Sequence, residues 1–117
     1  MHHEDHAKRT LRIFGRRADE VHAFLDRFFP KYHLSHRRLL HHRLGVALAV
    51  KQFGETAWGP AELHILDDLG YLPDTWLDHD PHTVYLNPGD DLKQEQDLIQ
   101  LYGRETYDEV RANRADG

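Results

Sequence analysis

The residues best suited to chemistry are histidines and one carboxylate. His36, His41 and His42 fall in the run His36-Arg-Arg-Leu-Leu-His41-His42, and His64 and Asp68 follow four positions apart. Imidazole nitrogen and carboxylate oxygen are ligands for divalent Zn, Mn, Fe or Ni. Residues four apart on a helix share a face, so His64 and Asp68 can converge on one ion, with Asp67 beside them. Within the earlier run, a continuous helix would separate His36 from His41 and His42 by roughly 120–140°. At most one of the two can then join His36, and only with a bent helix or a laterally placed metal. A bound divalent ion acidifies a water, and Arg37 or Arg43 would hold an anionic substrate beside it. The competing reading makes His36 a hydrogen-bonded core residue, puts His41 and His42 on the surface, and pairs Asp68 with an arginine.

Two further constellations carry weaker chemistry. Met1-His2-His3 has the free amine and third-position histidine that wrap Cu(II) or Ni(II) in a square plane. Asp78-His-Asp-Pro-His82 is a short loop dense in ligand atoms, either part of the helical site or a solvated turn. Nucleophilic catalysis has little support, since there is no cysteine and Ser35 is the one serine. Neither a Walker loop nor a dinucleotide-binding glycine loop is present, which argues against a nucleotide cofactor.

The elements that must position these residues read as an all-α, compact bundle of about five helices. The first spans 4–14, with Ala7, Leu11 and Phe14 inward and Gly15 stopping it. The second spans 19–29 and ends before Pro30. The third, 35–53, carries Leu39, Leu40, Val46, Ala47, Val50 and Phe53 on one stripe, with His36 and Arg43 on the same side. The fourth, 60–69, begins at Pro60 and ends before Gly70. Residues 71–89 read as irregular, with one helical turn near Pro73 and a short strand at 83–86. The last helix, 90–112, is acidic. Its stripe of Leu92, Ile99, Tyr102, Thr106 and Val110 is uninterrupted, with a kink at Gly103 not required. The tail 113–117 is expected to fray.

With 117 residues the chain suits one domain, 1–117. Absence of cysteine points to a reducing, cytoplasmic setting. The start lacks the apolar core of a signal peptide, and Val46 to Val50 is far too short to span a membrane. Net charge is −5, unevenly divided. Residues 1–58 carry 11 Lys/Arg against 6 Asp/Glu, and residues 59–117 carry 4 against 14. The halves can dock on each other, or each can face a partner of opposite charge. Without aromatic residues interleaved among the basic ones, nucleic acid is not the expected partner. The acidic helix would be covered by the basic half of its own chain, by a basic protein, or by a second copy in a homodimer.

The ordered pattern His36-Arg-x-Leu-Leu-His41-His42-x-x-Gly45-Val46, Phe53-Gly54, Glu62-Leu-His64-x-x-x-Asp68-Leu69-Gly70-x-x-Pro73 resembles a family of small uncharacterised bacterial proteins. Asp5-His6-Ala7-Lys8 and Phe14-Gly15 extend the likeness. It covers roughly residues 4–80 as a family-like core and leaves out 90–112. The family is defined without a known activity, so it implies a fold unit rather than a reaction. The histidine and aspartate sets are more distantly similar to those of His-Asp metal-dependent phosphohydrolases. The one adjacent His-Asp pair here, His79-Asp80, falls in a loop instead of on a helix. The expectation is a metal-binding helical domain, in its catalytic form a metal-dependent hydrolase of an anionic substrate. The alternative is a non-enzymatic protein-interaction module with structural histidines.

Overall fold

A computed structural model describes residues 2–116, with side chains described through residue 113. Among the described residues the architecture is all-α, with no strand. The helices are α1 (His3–Phe14), α2 (Asp19–Leu25), α3 (Phe29–Tyr32), α4 (Arg37–Leu40), α5 (Arg43–Phe53), α6 (Trp58–Leu69), α7 (Pro81–Val84), α8 (Asp90–Tyr102) and α9 (Arg104–Asp116). Tight 3-10 turns occupy His33–His36 and Glu55–Ala57. Met1 lies outside the described residues, so the amino-terminal copper or nickel motif is not placed.

The expected count of about five helices is too low, because two expected helices are broken and two single turns were not foreseen. Helix 19–29 stops at Leu25, and Pro30 sits in the first turn of α3 rather than ending a helix. Proline suits a first turn, where its missing N–H would have had no partner anyway. Helix 35–53 breaks at His41 and His42. His41 leaves α4 at φ −85°, ψ 62°, and His42 is extended at φ −162°, ψ 177°. The last helix breaks at Gly103, whose φ of 87° an L-residue rarely adopts. Residues 83–86 form no strand; Asp80 caps α7 by accepting from the His82 N–H at 2.9 Å. Pro73 and Asp74 start no helical turn, and Thr75–Asp78 is a hydrogen-bonded turn instead.

The break between α4 and α5 depends on a close approach. A Cβ on Gly45 would fall on the Leu40 carbonyl. Only glycine lets the first turn of α5 lie against the end of α4. The core gathers Val21, Leu25, Leu39, Leu40, Val46, Ala49, Ala61, Ile65, Trp76 and Leu98, from both sides of that break.

The outer faces differ from a simple apolar-stripe reading. On α1 the buried residues are His6, Ala7 and Thr10, while Leu11 and Phe14 are half exposed. On α8 they are Asp90, Gln94 and Leu98, and Leu92 is 74% exposed. Polar residues replace apolar ones on these inward faces because each meets a polar partner. Asp90 accepts from Ser35, and Gln94 binds both Ser35 and Arg38. The acidic half thus docks on its own chain. Asp97 pairs with Lys31 at 2.9 Å, Asp91 pairs with Arg38 at 2.9 Å, and the Tyr102 hydroxyl donates to the Leu39 carbonyl at 2.6 Å. Among the described residues no helix is long and apolar enough to cross a membrane.

Candidate metal centre

Five separate elements bring imidazoles and carboxylates to one place. His6 comes from α1, His22 and Asp26 from α2 and its C-cap, and His36 from the turn before α4. His41 comes from the C-cap of α4, and His64 and Asp68 from α6. His6, His22, His41 and His64 are almost wholly buried. Unpaired ionisable groups are costly there, so the mutual arrangement of donors carries the meaning.

Asp26, His41, His64 and Asp68 place one ligand atom each within 4.8 Å of all the others. His41 Nε2 is 3.1 Å from Asp68 Oδ2 and 3.4 Å from Asp26 Oδ1. His64 Nε2 is 3.1 Å from Asp26 Oδ1 and 3.4 Å from Asp68 Oδ2. A tetrahedral ion with bonds of about 2.0–2.2 Å sets its donors roughly 3.3–3.6 Å apart. Four of the six donor separations are therefore already close to the edges of such a tetrahedron, and the other two are within 4.8 Å.

Protons lead to the same place. His22 Nε2 lies 3.1 Å from the Arg17 carbonyl, which can only accept, so that nitrogen carries hydrogen. Burial, reinforced by neighbouring His6 and His3, pushes the His22 pKa down to about 4, so the ring is neutral and its Nδ1 is a lone pair. His64 Nδ1, 2.9 Å away, must then donate to it. Burial also pushes His64 down to about 3, against the hydrogen bond to Asp26, and its Nε2 faces two carboxylate oxygens. His36 sits in a similar setting: its Nδ1 is 2.5 Å from the His33 carbonyl, and its Nε2 is 3.0 Å from Asp26 Oδ1. Imidazole nitrogens and carboxylate oxygens that face one another need a cation between them, a proton or a metal ion.

The carboxylates stay ionised. Burial alone would raise Asp26, but bonds with His36, His41 and His64 outweigh it and hold it far below the usual range. Asp68 is held down likewise, burial losing to His41 and His6. His41 moves the other way: burial lowers it, but Asp26 and Asp68 together raise it. His41 is thus the ring that carries the compensating proton when no ion is bound.

His6, His22 and His64 also lie close enough to be considered a ligand group. Their rings are nearly parallel, at 18–27°, with His6 stacked on His64 at 3.9 Å. Imidazole lone pairs lie in the ring plane, so such a stack does not converge on one ion. We read it as the support that fixes His64, with His6 Nε2 holding Asp68 Oδ1 at 3.1 Å.

The expected residues are placed as follows. His41, His64 and Asp68 converge, and His36 joins them through Asp26. His42 is fully buried outside the group, with both nitrogens engaged: Nε2 donates to the Leu39 carbonyl and Nδ1 accepts from the Gly45 N–H. Burial, with His79 and His41 nearby, holds it well below the ordinary histidine pKa. Arg37 borders the centre, its guanidinium 3.8 Å from Asp68 Oδ1 and donating to the Thr83 carbonyl at 3.0 Å. Arg43 sits on the surface with Asp74, because the break before it turns it out of the stripe. In the loop 78–82, Asp78 binds Thr75 and Asp80 caps α7; neither belongs to a ligand group. Sequence reasoning missed His22 and Asp26, although His22-x-x-x-Asp26 repeats the spacing of His64-x-x-x-Asp68.

Beside the centre opens a cleft of about 640 Å³, lined by the polar Asp26, His36, Arg37, Asp68, His2 and His3 and the apolar Phe29, Pro30 and Leu34. No protein-family model, curated protein or solved structure matches this chain at a significant level.

Proposed function

We propose that this protein is a divalent-metal-binding helical domain that works as a hydrolase on a small anionic substrate. The observation that carries the reading is the convergence of Asp26, His41, His64 and Asp68, with one ligand atom from each within 4.8 Å of all the others. Asp26, His41, His64 and Asp68 would hold the ion, with His36 adjoining through Asp26. An ion there would polarise a substrate oxygen and acidify a water. The chain's own part is positional. Asp26 and Asp68 keep the site negative, His6 and His22 fix its orientation, and Arg37 supplies a cation where the cleft meets Asp68.

A non-enzymatic module fits less well. The acidic helix it would use is already engaged with its own chain through Asp91 and Asp97. The functional test is turnover of phosphate and carboxylate esters by protein stripped with chelator and reloaded with Mn or Zn. The proposal expects metal-dependent turnover that Asp68→Asn abolishes. Metal-loaded protein that turns over none of the esters would favour the module.

A further inference from the structure

The shape of the cleft says more about the substrate than its charge does. A bare phosphate or carboxylate occupies a small fraction of 640 Å³, a volume typical of sites that enclose a whole organic ligand. The polar lining is Asp26, His36, Arg37 and Asp68 with His2 and His3, and the rest is apolar: Phe29, Pro30 and Leu34. Phe29 is 46% exposed and Leu34 is 41% exposed. Phe29 is held by Pro30 in the first turn of α3 and stands edge-on to His36, with ring centroids 5.4 Å apart. The apolar lining therefore reaches a residue of the ligand cluster, so a substrate larger than its anionic head can rest on Phe29 while its head meets the centre.

We infer that the substrate is an amphipathic ester: an anionic head drawn to the metal and Arg37, and an aryl or alkyl group seated on Phe29 and Leu34. This rests on the metal-site reading above. It adds that the non-reacting part of the substrate is apolar, and that Phe29 and Leu34 select it. Ring-on-ring contact with Phe29 and burial of the group from water supply the preference.

The test compares phenylphosphonate with methylphosphonate, which share a head and resist hydrolysis, on Mn-loaded protein by calorimetry. Phenylphosphonate should bind about tenfold more tightly, about 1.4 kcal/mol. Phe29→Ala should bring the two within about twofold while leaving methylphosphonate and Mn affinity unchanged. Leu34→Ala, on a partly exposed residue away from the ion, should lose part of the same preference. Equal affinities in the parent, or variants that weaken both ligands alike, overturn the inference while stoichiometric Mn uptake leaves the metal site standing. Failure of the parent to take up Mn overturns both together.

Discussion

His22 Nδ1 lies 2.9 Å from His64 Nδ1, and this contact decides which nitrogen His64 turns to the carboxylates. Because His22 Nε2 donates to the Arg17 carbonyl, His64 must donate from Nδ1 and turn Nε2 to the carboxylates. His22→Phe keeps a ring but removes the acceptor. Metal affinity should fall about 10- to 100-fold, the usual cost of losing a partner that orients a ligand histidine. Equal affinity in the variant, measured by competition with a metal indicator, would show that His64 is not oriented this way.

Acidification should weaken the metal-free fold. His22, His64 and His79 are pushed down to about 4, 3 and 3, each chiefly by burial, and His42 lies well below its ordinary value. Each is neutral when folded and takes up a proton on unfolding below the ordinary value of about 6.5. Their contribution is complete above about pH 6.5 and is lost as pH falls towards the folded values, at about 1.4 kcal/mol per pH unit per group. His41, raised by Asp26 and Asp68, has the opposite sign: its contribution is present below about pH 6.5 and fades as pH rises through its folded value. Four groups against one give a net loss on acidification. Urea unfolding with chelator at pH 7.5 and pH 5 should differ by several kcal/mol, and His79→Leu should flatten that slope. A pH-independent midpoint would contradict the neutral assignments.

Gly45 is the hinge of the site. Its missing Cβ lets α5 start against the Leu40 carbonyl, which makes possible the reversal that sends His41 to the centre and His42 into the core. Gly45→Ala should destabilise by about 3 kcal/mol, the upper range for overpacking, because backbone cannot swing aside as a side chain can. A loss under about 1 kcal/mol in chemical denaturation would mean that the reversal tolerates a methyl group.

Residue spacing reveals half of this site. His64 and Asp68 are legible because one unbroken helix carries both, so four-residue spacing translates directly into a shared face. His36 and His41 are not, because their convergence depends on a helix break. No glycine or proline stands at His41 or His42 to announce it. The break is stabilised from outside the segment: the Arg43 N–H donates to the Pro73 carbonyl at 2.9 Å, and the Tyr102 hydroxyl caps Leu39 from α8. The same long-range logic hid the inward faces of α1 and α8, where His6, Thr10 and Gln94 are buried because other elements supply their partners. The all-α class was legible throughout, since it follows from local periodicity.

Metal content tests the account most directly. Protein purified without a metal-affinity step, stripped, and titrated with Zn or Mn should take up about one equivalent per chain and melt at a higher temperature, since the ion binds the folded form. Asp68→Asn should abolish both the uptake and the rise in melting temperature. A parent chain that stays well below one equivalent, with a melt unmoved by either ion, would contradict the metal centre.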